Sequence, residues 1–479
     1  MIILVNSKIN SSNIQSSLGK PEYSYYFLLA QLIPAMEQFA RVIELESPEE
    51  VDATYRKLSA TGESVVFISA SPPHLTPLDL QCPTVSLFAW EFPDAPDQPW
   101  DNNPCNDWRH PLKHLAGAIA SSWESAQAVR NLDGHSCPVT SVPAAVWPHF
   151  GDLLPEGGWR PAATQRHFEF SGFVLDSHVL GLSANGLVQH APRSPRYTRV
   201  NSAGKDKRGA IGQTLDIFRS WRAAIRNRKS KADAALPAGE VPPPNPAGTQ
   251  PVANCRFELS GVVFCTVLSP KDGRKNWDDI VTAFCWAFRD NPDATLILKI
   301  THHDLELYRI FLLTLLSRLA PFRCRVLTLH GFLDDQQYRE LISVSDFYVN
   351  ASTCEGLCLP LMEFLSAGKP ALAPRHTAML DYLDENIAHV VDTAEELADW
   401  PHDPTGELRS RRHRLNWESL MLGFQTCERM ARQEPDRYQR MSMNASQHMR
   451  RFCDTPVVAR QLEDFLTPLL TPRHAGGAQ

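Results

Sequence analysis

Asn350-Ala-Ser-Thr-Cys-Glu-Gly-Leu-Cys-Leu-Pro-Leu-Met-Glu-Phe-Leu-Ser-Ala-Gly-Lys-Pro370 is the stretch that decides the fold. An apolar strand, Asp346–Val349, runs into it. A polar turn around Gly356 follows. A helix then opens near Leu359, with Pro360 in the first turn, where a missing N–H is tolerated. Gly368 suits the helix C-cap, and Pro370 forbids continuation. The next strand, Pro370–Ala373, begins at once. Strand, turn, helix and strand in so short a span form the unit of a parallel α/β sheet. The turn and the helix start present free backbone N–H groups and a partial positive charge, which suits a phosphate.

The same unit recurs outward in both directions. Gly261–Leu268, Thr295–Ile300 and Arg325–Leu329 read as strands, and Trp277–Arg289, Leu305–Leu319, Asp335–Val344 and Leu359–Ala367 as helices. In the first 150 residues, Ile2–Val5, Ser64–Ala70, Thr84–Trp90, Gly117–Ser121 and Pro138–Val142 read as strands. Tyr25–Val42 and Trp123–Asn131 read as helices there. Strand–helix alternation in two blocks predicts two doubly wound α/β domains, 1–160 and 256–410. Between them, 161–255 reads as an insertion. Its residues 232–254, rich in Pro, Ala and Gly, suit an extended linker. Residues 194–231 hold eleven Lys/Arg and two Asp. Ile211, Leu215, Phe218, Trp221 and Ile225 recur there at near-helical spacing, so a basic amphipathic helix is expected over 205–231. The tail, 411–479, reads as the helices Trp417–Gln433 and Ala445–Leu470.

Composition narrows the class. Of 479 residues, 43% are hydrophobic and 21% charged, which fits a globular chain too long for one core. A formal charge of −7 gives no global reason to expect nucleic-acid binding. Eleven cysteines, none in a C-x-x-C pair, suit a reducing cytoplasm and no structural zinc. The N-terminus lacks a basic n-region and a long apolar run, and no apolar stretch reaches roughly 18 residues, so neither a signal peptide nor a spanning helix is expected.

Glu355 lies just before the phosphate-binding helix start and Glu363 about one turn inside it. A carboxylate accepts two hydroxyl hydrogen bonds. Two of them bracketing a phosphate site suit a ligand with hydroxyls on both sides of a diphosphate, and a sugar nucleotide is such a ligand.

The segment resembles the E-x7-E signature of retaining glycosyltransferases of the GT-B fold, glycosyltransferase family 4 above all. The resemblance implies that Glu355 contacts donor-sugar hydroxyls and that Glu363 holds the ribose. Gly356, Leu357 and Cys358 would lie along the donor, with Cys358 where the family has glycine. Leu268-Ser-Pro-Lys-Asp-Gly-Arg-Lys-Asn276 resembles the family's Arg…Lys-Gly loop, whose cations neutralise the donor diphosphate. Lys275 matches the Lys and Asn276 stands at the Gly. The Arg is out of register, leaving Arg274 or Lys271 to replace it. His330-Gly-Phe-Leu-Asp-Asp335 resembles the loop along the nucleotide base and brings the Gly331 backbone there. Phe88-Ala-Trp-Glu-Phe-Pro93 resembles a Trp-Glu pattern on the acceptor side. Trp90 would line the acceptor pocket and Glu91 would assist deprotonation of the acceptor. Ser17-Leu-Gly-Lys-Pro-Glu22 occupies the place of a Gly-rich loop near the donor phosphate.

The resemblance thus implies a GT-B architecture, two Rossmann-like doubly wound domains with a central cleft, donor on the second and acceptor on the first. It implies C-terminal helices that cross back to the first domain. It implies transfer with retention from a nucleotide sugar to a glycan or lipid-linked acceptor, with no metal or other cofactor. The setting it suggests is bacterial surface polysaccharide assembly in the cytoplasm, at the inner face of the membrane. Transfer to protein or DNA, or a degenerate GT-B scaffold that binds without turnover, are the alternatives. The basic helix admits three roles: peripheral contact with an anionic membrane, contact with a nucleic-acid backbone (ranked behind it), or a solvated insertion.

Overall fold

The computed structural model describes residues 1–8, 23–161, 166–181, 251–302, 306–400, 403 and 408–470. The loop 17–22 and the basic segment 205–231 lie outside them.

The first half is a parallel sheet with helices around it. Its strands are Ile2–Ser7 (β1), Arg41–Glu44 (β2), Val65–Ala70 (β3), Thr84–Phe88 (β4), Gly117–Ala120 (β5) and Val139–Ser141 (β6), in the order β2-β1-β3-β4-β5-β6. β3, β4 and β5 are buried along their whole length, as strands covered on both faces must be. The helix expected over Tyr25–Val42 is Tyr23–Met36. The chain turns after it, and Arg41–Glu44 pairs with β1 as an edge strand. Its ends are exposed and its middle half-buried, so it carries little of the apolar run that marks β3 or β4.

The second sheet is larger. Arg166–Asp176 (β7), Pro251–Leu259 (β8), Val262–Leu268 (β9), Ala294–Ile300 (β10), Arg325–His330 (β11), Phe347–Val349 (β12), Ala371–Pro374 (β13) and Ala388–Val391 (β14) take the order β14-β13-β12-β9-β10-β11-β7-β8. From β14 to β11 the pairing is parallel, whereas β7 and β8 are antiparallel additions at the edge. The sheet therefore begins at Arg166, not at residue 256. Both ends of the segment expected to be an insertion, 161–255, belong to this edge. Ion pairs fasten β7: Arg166 to Asp346 at 2.8 Å and Arg325 to Asp176 at 2.7 Å.

Beyond β14 the chain forms a hairpin, Thr393–Asp399 (β15) and Arg409–Leu415 (β16). The charge ladder across it explains a strand pair with so few apolar residues. Arg411 meets Glu395 at 3.2 Å, Arg412 meets Glu396 at 2.8 Å and Arg409 meets Asp399 at 2.9 Å.

The tail is three helices: Trp417–Gln433, Pro435–Cys453 and Thr455–Leu470. The single helix expected over Ala445–Leu470 breaks at Asp454, whose backbone is extended (φ −71°, ψ 148°), and Pro456 restarts helix in a first turn. The last helix packs on the first half. Phe465 and Leu469 lie over Gly117 so closely that a Cβ there would sit 3.0 Å from each. Leu462 and Leu466 share a core with Ile3, Val66 and Ile119 of the first sheet.

In the second sheet β9 lies at the middle. The chain adds β10 and β11 on one side of it and then crosses to add β12, β13 and β14 on the other. The reversal leaves a crevice at the carboxyl ends of β9 and β12, where ligands bind in open α/β sheets. The loops 269–276 and 350–358 leave those two ends.

Candidate active site

Both crevice loops end in the same backbone device. Asn276 (φ 50°) caps the helix Trp277–Ala287, and Cys358 (φ 62°) caps the helix Leu359–Ser366, each in the left-handed conformation. These are the two positions at which the family resemblance expects glycine. The conformation is thus kept without the residue that adopts it freely. Asn tolerates it through its short polar side chain, whereas for most other side chains it costs roughly 1–2 kcal/mol. Cys358 is buried, and its sulfur accepts from Asn350 Nδ2 at 3.1 Å.

Glu355 is the centre of the site. It is 2% exposed. Its Oε1 accepts from Lys275 Nζ at 2.6 Å, Ser352 Oγ at 2.6 Å and Asn350 Nδ2 at 3.4 Å; Oε2 accepts from Arg274 Nη1 at 2.8 Å. Burial alone would raise its pKa. The charges of Lys275 and Arg274, with the hydrogen bonds of Lys275 and Ser352, reverse that and hold it well below the usual carboxylate range.

Arg274 is the hub of the ion pairs. Besides Glu355, it meets Glu91 Oε1 at 3.2 Å, Asp272 Oδ2 at 3.0 Å and the Cys354 carbonyl at 3.0 Å. Burial opposes its charge, but Glu355, Glu91 and Asp272 outweigh burial and raise its pKa further. The Arg found out of register in the sequence therefore reaches Glu355.

The loop 350–355 is braced from behind. His376 Nε2 lies 3.0 Å from the Ser352 carbonyl, and its ring stacks on His413 with centroids 4.3 Å apart. Burial, then the neighbouring His413, lowers the His376 pKa to about 3, so the ring is neutral near pH 7. Thr353 donates its N–H to the Arg274 carbonyl at 2.8 Å and accepts from His413 N at 2.8 Å.

The first half closes on this loop. Ser121 Oγ donates to the Gly356 carbonyl at 2.7 Å. A Cβ at Gly356 would lie 2.9 Å from the Trp90 amide nitrogen, so the approach needs glycine. Leu357 is buried and its carbonyl accepts from Tyr382 at 2.9 Å. The backbone of Trp90 meets the loop. Its ring, 6% exposed, packs with Trp108, Phe92 and Trp400, and its indole N–H donates to the Asp94 carbonyl at 3.0 Å.

Glu363 lies about one turn into the helix Leu359–Ser366, 8% exposed, and accepts from the Tyr338 hydroxyl at 2.5 Å. Burial pushes its pKa up to about 7 while the Tyr338 hydrogen bond pulls it down. The Gly331 carbonyl accepts from Lys299 Nζ at 2.7 Å, which pins the loop after β11; burial lowers the pKa of this lysine to about 8.

Glu355, Lys275, Arg274, Glu91, Gly356 and the Trp90 backbone therefore meet in one cluster. Glu363 lies on the helix after β12, Gly331 and Tyr338 lie on the loop and helix after β11, and Lys299 reaches Gly331 from β10. Sequence reasoning missed Ser352 and Asn350 as ligands of Glu355, although both stand in the quoted stretch. It also missed His376, Tyr338 and Lys299, which arrive from distant segments. Among the described residues no His, Cys, Asp or Glu groups cluster to ligate a metal, all eleven cysteines are free, and no helix is long and apolar enough to cross a membrane.

The architecture and the crevice between its halves define the GT-B fold. No family model matches the chain, and no curated protein matches it in sequence. Solved structures do match it. HepE from Anabaena, in complex with UDP, aligns over 98% of this chain and 99% of its own, with 12% identity and a TM-score of 0.50. Sucrose-phosphate synthase from Thermosynechococcus elongatus aligns over 98% of each chain, with 12% identity and a TM-score of 0.50. Both share this chain's fold.

Proposed function

We propose that this chain is a glycosyltransferase that moves a sugar from a nucleotide-sugar donor to a glycan or lipid-linked acceptor, with retention of configuration. The observation that carries the proposal is Glu355, buried between Lys275 and Arg274 at the start of the helix Leu359–Ser366 and at the sheet's switch point. The HepE complex with UDP has the same fold, which supports a uridine nucleotide as the first donor class to test.

In this proposal Lys275, Arg274 and the helix N-terminus hold the diphosphate, where negative charge grows as the glycosidic bond breaks. Glu355 turns to the sugar hydroxyls. Gly356, Leu357 and Cys358 lie along the donor, Glu363 takes the ribose hydroxyls and the loop at Gly331 follows the base. The acceptor enters over Glu91, and Trp90, its ring buried in the aromatic cluster, supports that wall from behind. A front-face displacement is the hypothesised route: the acceptor oxygen bonds the anomeric carbon as the bond to the diphosphate breaks, and the acceptor proton passes to the departing phosphate. The reaction asks for no cofactor. A bacterial surface-glycan role at the inner face of the membrane, with the segment 205–231 as the contact, follows from the resemblance and the basic composition.

Hydrolysis and transfer measured across a panel of nucleotide sugars test the proposal. Slow hydrolysis of one donor, lost in Glu355→Gln, supports it. A wild-type chain that binds a nucleotide sugar and never turns it over sinks the enzymatic claim and leaves a binding scaffold.

A further inference from the structure

We propose that Tyr338 is a positioning residue for nucleotide binding, its phenol holding Glu363 in the one orientation and the ionised form that ribose hydroxyls require. The proposal rests on the nucleotide-sugar function above and adds to it a residue that the E-x7-E pattern does not contain.

The geometry is locked from several sides. The helix Asp335–Val344 opens on a capping box: Asp334 Oδ1 accepts from Gln337 N at 2.8 Å and the Gln337 side chain accepts from Asp334 N at 3.1 Å. That box fixes the first turn. Tyr338 follows immediately, its N–H on the Asp334 carbonyl at 2.9 Å. Its ring meets Phe150 edge-on, with centroids 6.0 Å apart. Arg339, the next residue, holds Asp152 at 2.6 Å and bonds the His149 carbonyl. The phenol is thereby held between Phe150 and the helix of Glu363. Among the described residues, Tyr338 is the group that hydrogen-bonds Glu363.

The chemistry gives that contact a consequence. A buried carboxylate is driven toward its protonated form, and a hydrogen bond donated to the ionised form resists this. The two hydroxyls of a ribose need acceptors, which a carboxylate supplies and a protonated acid supplies only in part. Tyr338 occupies one acceptor position of Oε2 and leaves the others open. Neighbouring titratable groups are committed elsewhere. Asp152 is on Arg339, Lys369 on the Ser343 carbonyl at 3.0 Å and Tyr348 on the Val267 carbonyl at 3.4 Å. His149, whose pKa burial lowers, lies beside Asp335 and Arg339. Cys358 and Glu340 do not bond Glu363. The helix Pro435–Cys453 also packs on the helix of Glu363, and its groups are engaged elsewhere: the Cys453 thiol lies against Ser366 and the Tyr438 hydroxyl donates to the Asp346 carbonyl at 2.7 Å. The nucleotide affinity should therefore follow the protonation of Glu363 near neutral pH, and Tyr338 should set where that happens.

Calorimetric titration of UDP, GDP and ADP into the full chain from pH 5.5 to 8.5 tests this, with the nucleotide's own phosphate titration measured separately. For the nucleotide that binds, the wild type should lose affinity about tenfold per pH unit on the acid side of Glu363's titration. Tyr338→Phe should move that fall to higher pH, with little change at pH 8.5. Glu363→Gln should bind weakly with no such fall. An acid limb that Tyr338→Phe leaves in place, or an equal loss at every pH, overturns the role of Tyr338 while the nucleotide function stands. Silence of the wild type toward every nucleotide overturns the proposed function itself, and this inference with it.

Discussion

Arg274 and Glu91 meet across the cleft, Nη2 to Oε1 at 3.2 Å, one from the loop after β9 and the other from the loop after β4. The same guanidinium also holds Glu355 and Asp272. With Lys275, two cations therefore face three carboxylates. A diphosphate cannot join such a cluster by simple addition. It has to displace acids, and Glu91 and Asp272, whose side chains are 24% and 34% exposed, are the ones free to swing into water.

Glu91→Gln should therefore strengthen diphosphate binding. The pair is partly solvated, and such pairs contribute roughly 0.5–1 kcal/mol, or about two- to fivefold in affinity. Titration of the wild type and the variant with a nucleoside diphosphate reads this directly. If Glu91 also assists deprotonation of the acceptor, the variant binds donor better and turns over more slowly. Tighter binding with undiminished turnover removes it from the chemistry.

Glu355 supports a prediction about acid. Its folded pKa is depressed relative to an unfolded value of about 4.3, so it contributes stability above that pH and loses the contribution as pH falls toward the folded value. Glu355→Gln should flatten the fall in stability below about pH 4, measured by urea unfolding. Glu355→Ala leaves two half-buried cations facing an emptied place, and breaking a buried pair costs at most about 3–5 kcal/mol. The alanine variant should thus lose stability as well as transfer, so the glutamine variant is the better test of catalysis.

The left-handed cap at Cys358 predicts unequal responses to two substitutions. At Cys358 (φ 62°), Gly relieves the backbone but gives up the packed sulfur and its contact with Asn350. Cys358→Gly should melt close to the wild type. Cys358→Val, β-branched in a conformation hostile to it, should lose more than about 1–2 kcal/mol. A thermal-melting comparison in which Val is as stable as Gly contradicts the assigned cap geometry.

Much of this was legible in the sequence, for a physical reason. Strands covered on both faces are continuous apolar runs, so β9 and β10 stand out within a residue of their observed ends. Glu355 and Glu363 are local to one strand–turn–helix unit, and Lys275 follows the neighbouring strand. What was hidden lies at edges or between distant segments. β7 alternates buried and exposed residues over its first half and pairs with β8 across the long segment between them. β15 and β16 are held by charge pairs rather than by an apolar face. Tyr338 reaches Glu363 from a separate helix, and no periodicity marks such a contact. Arg274 stands out of the family's register in sequence, whereas its long guanidinium side chain needs only reach to meet Glu355.

The hairpin supplies the last prediction. Trp400 follows β15 and is 5% exposed, set into the aromatic cluster of the first half with ring centroids 5.9 Å from Trp90 and 5.2 Å from Trp100. Arg411 of β16 adds an exposed contact to Asp94 at 3.3 Å. At its base the same hairpin touches the loop 350–355, through His413 N on the Thr353 carbonyl and the ring stacked on His376. The second half therefore grips the first through Trp400 while bracing the loop of Glu355. Truncating a buried aromatic costs about 3–5 kcal/mol when the loss is global. A peripheral two-stranded hairpin should release locally first. In Trp400→Ala, hydrogen exchange should quicken across 393–399 and 409–415 and in the loop 350–355, with β3 and β4 still protected, and transfer should fall in step with the loop. Faster exchange confined to the hairpin, with transfer intact, shows that the brace at His413 holds without the anchor at Trp400.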